Sequence, residues 1–138
     1  MKKLTLFISI LLLSCGSLQT KKPLQTRVKE FTKAAEQLIP DKEITILTGN
    51  TVYVKLEKNP STGYSWYYTL SDSTRLQFVG EEVFRSSYEQ PVAGEPVIRV
   101  WKFMAAKKGR ASITFTYYRG WLGTHSTIRT NVYPLNIE

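Results

Sequence analysis

The chain has 138 residues, 42% hydrophobic and 22% charged, with a formal net charge of +8, one cysteine and one histidine. That length holds one domain with one hydrophobic core. The Lys and Arg residues are dispersed and accompany no DNA- or RNA-binding motif, so the charge is not a nucleic-acid signal; it suits an anionic lipid surface or an acidic partner.

Lys2 and Lys3 form a short basic start, and Leu4 to Leu13 is an apolar run broken only by Thr5 and Ser9. The run is too short to span a bilayer as a mature helix, and no other stretch could span one. With Ser14 at the cut site it makes a secretory signal over residues 1–14. Leu12-Leu13-Ser14-Cys15 resembles a bacterial lipobox, in which a diacylglyceryl group joins the cysteine sulfur and the chain is cut before it. The other reading is an ordinary signal peptide with a stray cysteine. Lipidation is favoured because Cys15, the chain's one cysteine, sits at the one place this chemistry needs it. Each buried lipid methylene contributes about 0.8 kcal/mol, so several acyl chains hold a protein stably on a membrane. Gly16 is not the aspartate that retains some lipoproteins at the inner membrane. The expected location is therefore the bacterial cell envelope, lipid-anchored at the outer membrane. Removing residues 1–14 from 138 leaves 124 and lowers the charge from +8 to +6. No disulfide can then form within the mature chain, so packing must supply its stability.

Residues 15–43 read as the lipidated cysteine, a tether over 16–26 and a short segment over 27–39. Val28, Phe31, Ala35 and Leu38 fall at helical spacing, which predicts a short amphipathic helix packed on the domain or the membrane. An irregular lead-in is the alternative. Pro40-Asp41 ends the segment.

From Ile44 the period changes to that of strands. The predicted runs, lettered A to G, are 44–47, 51–56, 64–70, 76–84, 97–104, 111–118 and 128–135. Gly80 suggests a bulge in the fourth. Ile113, Phe115 and Tyr117 share one face of the sixth. The expectation for residues 44–138 is all-β: an immunoglobulin-like antiparallel β-sandwich of about seven strands. In an up-down order the B–C loop (57–63), the D–E loop (85–96) and the F–G loop (119–126) share one end. The unusual residues collect there, and loops on a rigid sandwich commonly carry binding function. Asn59 is pushed towards extended backbone by Pro60, Gly63 is free to take positive φ, and Ser61 and Thr62 stand at the tip. Such a loop is either a plain turn or a preformed probe. Trp121 beside Arg119 has the composition of a binding hot spot; the alternative is a tryptophan folded back on the core. Trp66, Trp101 and Phe103 are expected in the core.

Catalytic chemistry is absent from the sequence. A lipidated cysteine and the lone His125 cannot make a Cys–His pair. Asp41 and Asp72, the only aspartates, accompany no nucleophile elbow. There is no metal-ligand spacing and no phosphate-cradling glycine motif. Glu81 and Glu82 are neighbours on a strand and face opposite sides, so they are no carboxylate dyad. The expectation is a binding protein, not an enzyme, with no cofactor.

The three-loop end resembles the chagasin family of cysteine-protease inhibitors. Asn59-Pro60-Ser61-Thr62-Gly63-Tyr64-Ser65-Trp66 is similar to that family's Asn-Pro-Thr-Thr-Gly-Tyr/Phe motif with its following Trp, Ser61 being the one change. Arg119-Gly120-Trp121-Leu122-Gly123 is similar to its Arg-Pro-Trp motif, with glycine in place of proline. Val92-Ala93-Gly94-Glu95 keeps one glycine of a Gly-x-Gly-Gly loop. The resemblance implies a monomer that fills the active-site cleft of a papain-like cysteine protease, reversibly and without a cofactor. It implies protease contacts from Asn59, Pro60, Ser61, Thr62, Gly63, Tyr64, Ala93, Gly94, Arg119, Gly120 and Trp121. It also implies that Gly120 loosens its loop relative to a proline. A different function class remains open beside it: a non-inhibitory envelope lipoprotein that binds a glycan or a protein through the same loops, or pairs with a partner along a sheet edge.

Overall fold

A computed structural model describes residues 22–85 and 94–138. The signal segment, Cys15, Gly16 and Ala93 lie outside the described residues. Among the described residues are one helix, α1 (Leu24–Phe31), and eight strands: β1 (Ala35–Gln37), β2 (Ile44–Ile46), β3 (Thr51–Lys58), β4 (Tyr64–Leu70), β5 (Leu76–Phe84), β6 (Val97–Ala105), β7 (Gly109–Arg119) and β8 (Arg129–Ile137). Runs A to G correspond to β2 to β8.

The strands form two four-stranded sheets, ordered β1-β3-β6-β5 and β2-β8-β7-β4. The central pairs β3–β6, β5–β6, β4–β7 and β7–β8 are antiparallel, as expected for an immunoglobulin-like sandwich. The short strands β1 and β2 instead pair in parallel, β1 with β3 and β2 with β8. They are successive pieces of one crossing segment. Pro40 and Asp41 carry the chain from the edge of one sheet to the edge of the other, and Asp41 adopts φ 59°.

The helix is shorter than its apolar spacing suggests. Thr32 closes its last turn, with both N–H and hydroxyl donating to the Val28 carbonyl at 2.9 Å. Ala34 then takes φ 60°, which no helix accommodates, and Ala35–Gln37 leave to pair with Thr51–Tyr53. Val28, Phe31, Ala35 and Leu38 thus keep helical spacing without sharing a helix. Val28 and Phe31 pack with Phe84 and Val100 on the outer face of the first sheet, whereas Leu38 joins the core between the sheets. Val100 and Trp101, adjacent on β6, point to opposite faces and separate these two clusters.

The inter-sheet core contains Val52, Val54, Trp66, Leu76, Trp101, Phe103, Ile113, Phe115, Tyr133 and Leu135. Phe115 lies at its centre, 4.7 Å from the Trp101 ring and 5.9 Å from Tyr133, ring centre to ring centre. The bulge expected at Gly80 is present, as a register shift between Phe78 and Gly80 against β6.

The register brings the loops together. Lys58 pairs with Val97 and Phe84 with Ile98, so β3 and β5 end where β6 begins. Tyr64 pairs with Arg119 and Tyr117 with Arg129, so β4 and β8 begin where β7 ends. The 59–63 turn joins the two sheets at that end, and the segments leading into the 85–96 loop and the 120–128 loop open from the same end.

Trp66 is 3% exposed, packs in the inter-sheet core and donates its indole N–H to the Glu57 carbonyl, two residues before the 59–63 turn. Trp66→Ala is expected to destabilise the protein by about 3–5 kcal/mol, the usual cost of emptying a buried aromatic site. Urea unfolding at neutral pH measures this; a loss below about 1 kcal/mol contradicts the assigned core role.

Candidate functional site

The 59–63 turn is held by its own polar groups. Asn59 is extended (φ −94°, ψ 112°) and caps a 3-10 turn over Pro60–Thr62. Its side-chain Oδ1 accepts from the Ser61 N–H at 3.0 Å and from the Ser61 hydroxyl at 2.6 Å. The Thr62 hydroxyl donates to the Asn59 carbonyl at 2.9 Å, and its oxygen faces the Tyr64 N–H at 3.4 Å. Both hydroxyl protons are therefore used inside the turn, which leaves the oxygens of Ser61 and Thr62 as acceptors on the exposed tip. Gly63 closes the turn at φ 76°, a left-handed conformation that costs a side-chain-bearing residue about 1–2 kcal/mol. Below the turn, the Trp66 indole N–H donates to the Glu57 carbonyl at 2.8 Å and ties β4 to the end of β3.

The second loop leaves β7 at Arg119. Leu122 and Gly123 donate their N–H groups to the Arg119 carbonyl at 3.0 and 3.1 Å, so Gly120 and Trp121 sit at the centre of a tight turn. The Arg119 N–H donates to the Ser126 hydroxyl at 3.1 Å, and that hydroxyl donates to the Gly123 carbonyl at 2.8 Å. The Arg119 guanidinium lies over the Tyr64 ring at 4.6 Å. Tyr64 stacks on Tyr117 at 5.4 Å, and Tyr117 rests on Trp66 at 4.7 Å. Arg119 therefore braces the loop through an aromatic column, and among the described residues it forms no ion pair. Its Nε is buried without a hydrogen-bond partner.

Trp121 does not fold back on the core; it is 70% exposed. Its ring edge lies where a side chain at 63 would project, so any Cβ there would overlap Trp121 Cη2. The two loops touch through this contact and present one surface.

Leu122 and Ile128, on the same loop as Trp121, are also exposed. Sequence reasoning missed both. Ile128 reads as the first residue of the last strand, but β8 starts at Arg129, and Ile128 donates its N–H to the Tyr117 carbonyl at 3.1 Å from the loop's return arm. A strand-start position beside a glycine-rich loop was the available signal. Of the 85–96 loop, Gly94 is described as an exposed residue at φ 84°, and residues 86–93, Ala93 among them, are not described. The structure thus unites Asn59, Pro60, Ser61, Thr62, Gly63, Tyr64, Arg119, Gly120 and Trp121, and relates Gly94 to them only by its place at the same end.

Beside this surface, a cleft of about 250 Å³ opens between the edges of the two sheets, lined by Trp66, Tyr67, Tyr68, Glu81, Arg99 and Trp101. Arg99 lies 4.8 Å from the Trp101 ring centre, and its Nη2 donates to both Glu81 oxygens at 2.8 and 2.9 Å. Burial, and next the Glu81 charge, push the Tyr68 phenol above its ordinary value. Lys58 donates to the Ser65 hydroxyl at 2.6 Å at the root of the turn. Burial, and next the Arg99 charge, hold its ammonium below the ordinary lysine value. No group of His, Cys, Asp and Glu able to hold a metal ion occurs among the described residues.

Residues 45–136 match the chagasin family of peptidase inhibitors, I42. The match spans more than half of the chain, which therefore belongs to that family, a family of inhibitors rather than enzymes. Among solved structures, the chain is similar to the cysteine protease inhibitor EhICP2 from Entamoeba histolytica, with a TM-score of 0.61 and 23% identity over 70% of this chain and 86% of that one. It is also similar to amebosin in solution, with a TM-score of 0.58 and 24% identity over 72% of this chain and 90% of that one. At these identities the likeness shows the fold. Among curated proteins the sequence finds no match.

Gly63→Ala tests the contact between the loops. It is expected to cost about 1–2 kcal/mol of stability from the left-handed backbone and to displace Trp121. Thermal unfolding reads the first effect, and acrylamide quenching of tryptophan emission the second. Unchanged stability and quenching would separate the two loops.

Proposed function

We propose that the protein is a reversible inhibitor of papain-like cysteine proteases that occludes their active-site cleft with the 59–64 turn and the 119–123 loop, flanked by the 85–96 loop through Ala93 and Gly94. The observation that carries this is the contact of exposed Trp121 with Gly63, which joins a rigid polar tip to an exposed aromatic. Membership of a peptidase-inhibitor family supports it, as does the fold shared with a cysteine protease inhibitor.

The geometry suits such a role. The tip is internally hydrogen-bonded and proline-stiffened before any partner arrives, so little conformational entropy is lost on docking. A closed 3-10 turn does not present the extended backbone that a protease cleaves, so the target's nucleophile meets no bond in a reactive pose. Ser61 and Thr62 offer oxygen acceptors to polar groups of the target, and Gly63 admits the Trp121 ring against the turn. Trp121 supplies the large rigid aromatic area typical of hot spots. The inhibitor contributes no nucleophile and needs no cofactor.

A tight-binding titration of papain tests this reading. Thr62→Trp is expected to weaken inhibition with the fold intact, because it replaces a small tip residue by a bulky one. Trp121→Ala is expected to cost about 2 kcal/mol of binding, roughly 30-fold in affinity. Absence of inhibition by the folded wild type overturns the proposal. A Trp121→Ala protein that loses stability but inhibits normally removes Trp121 from the contact.

The lipobox-like Leu12-Leu13-Ser14-Cys15 supports a second part of the proposal: anchoring through lipid on Cys15, at the outer membrane of a bacterial envelope. Cys15→Ala is expected to move the protein from the membrane fraction to the soluble fraction of the expressing cells. Equal membrane retention of both proteins contradicts lipidation.

A further inference from the structure

Gly120 is a glycine for a reason that its backbone does not supply. It is absent from the glycines with positive φ, so its conformation does not demand glycine. What excludes a side chain is space: a Cβ built at 120 would lie 2.5 Å from the Tyr67 hydroxyl oxygen and 3.5 Å from Tyr67 Cζ. Tyr67 is itself held on one side, stacked on Tyr118 with ring centres 4.2 Å apart and planes 26° from parallel. Tyr67 points away from the core, since its neighbours Trp66 and Tyr68 face inward, and it is 41% exposed. The ring thus stands along the outside of the second sheet with its hydroxyl against the centre of the Trp121 turn.

We infer that Tyr67 is a positioning residue for Trp121. Stacked on Tyr118, it meets Gly120 from one side while Gly63 meets the Trp121 ring from the other. Between these contacts the turn over Gly120 and Trp121 is fixed by packing, where a proline would fix it through its ring. Any residue with a Cβ at 120, proline included, must displace the Tyr67 hydroxyl or shift the turn that carries the indole, and the stacking on Tyr118 holds the ring against the first. The inference rests on the inhibitory reading for its consequence, because the indole is there the part that enters the target. It adds Tyr67, which makes no contact in that reading, as a determinant of affinity.

The test is a double-mutant cycle on the full chain with Gly120→Ala, Tyr67→Phe and the two combined. Two readouts are taken: the papain inhibition constant and the ¹⁵N relaxation of the Trp121 indole N–H, its signal assigned with Trp121→Phe. Gly120→Ala is expected to weaken inhibition on the order of tenfold, the scale of coupling between contacting residues, and to mobilise the indole. Tyr67→Phe removes the oxygen that a Cβ would meet and leaves Cζ at an ordinary contact distance. Added to Gly120→Ala, it is expected to restore inhibition to within about threefold of wild type and to restore the rigid indole. A Gly120→Ala protein with wild-type inhibition and relaxation overturns the inference, and so does a double variant no better than Gly120→Ala. If the wild type fails to inhibit papain, the inhibitory reading falls. The relaxation cycle still decides the positioning role: restored rigidity in the double variant upholds it, and an unrestored indole overturns it.

Discussion

The hydrogen bond from the Trp66 indole to the Glu57 carbonyl is the interaction on which the end of the sandwich that carries both loops depends. It crosses from the second sheet to the first at the point where the 59–63 turn passes overhead. Trp66 fills the core below, and its ring carries Tyr117, which carries Tyr64, which carries the Arg119 guanidinium. One buried side chain therefore sets the height and tilt of both loops. A net hydrogen bond contributes only about 1 kcal/mol. The positional consequence is larger, because the bond and the burial act on the same indole.

The surface above that column owes its rigidity to two kinds of constraint. Hydrogen bonds internal to each loop set local shape: Asn59 collects Ser61 and Thr62, and the Arg119 carbonyl collects Leu122 and Gly123. Close approach at two glycines sets how the loops meet, with Trp121 over Gly63 and Tyr67 over Gly120. Both constraints act within the free protein, so this surface is formed before any partner arrives. Leu122 and Ile128 on the same loop are exposed as well. The neighbouring cleft differs in character, since it holds the Arg99–Glu81 ion pair beside Trp101.

Most of the strands were legible because apolar residues recur at every second position, as a half-buried strand requires, and glycine and proline mark the turns; their order within the two sheets was not. The Gly80 bulge was legible for the same reason. The segment before Ile44 was not. Val28, Phe31, Ala35 and Leu38 satisfy a helical period, but Val28 and Phe31 bury on one face of the first sheet, Leu38 buries on the other and Ala35 is a strand residue of that sheet, and the positive φ at Ala34 leaves no mark in composition. The parallel pairings of β1 and β2 were invisible as well, since three-residue strands carry no period long enough to read.

At the candidate site the same division holds. The sequence by itself determined the turn over Asn59 to Gly63, because proline, an Asx cap and a left-handed glycine act over a few adjacent residues. It determined the core role of Trp66 and Trp101, because burial follows from alternation along a strand. Only the tertiary structure decided that Trp121 stands exposed against Gly63, that Arg119 stacks on Tyr64 instead of pairing with an acid, and that Gly120 answers to Tyr67. Those contacts join residues 53 to 58 positions apart in the chain, across strands whose register is set by the whole sandwich. No local pattern encodes where two such loops meet, because their meeting depends on how two sheets pack over one core.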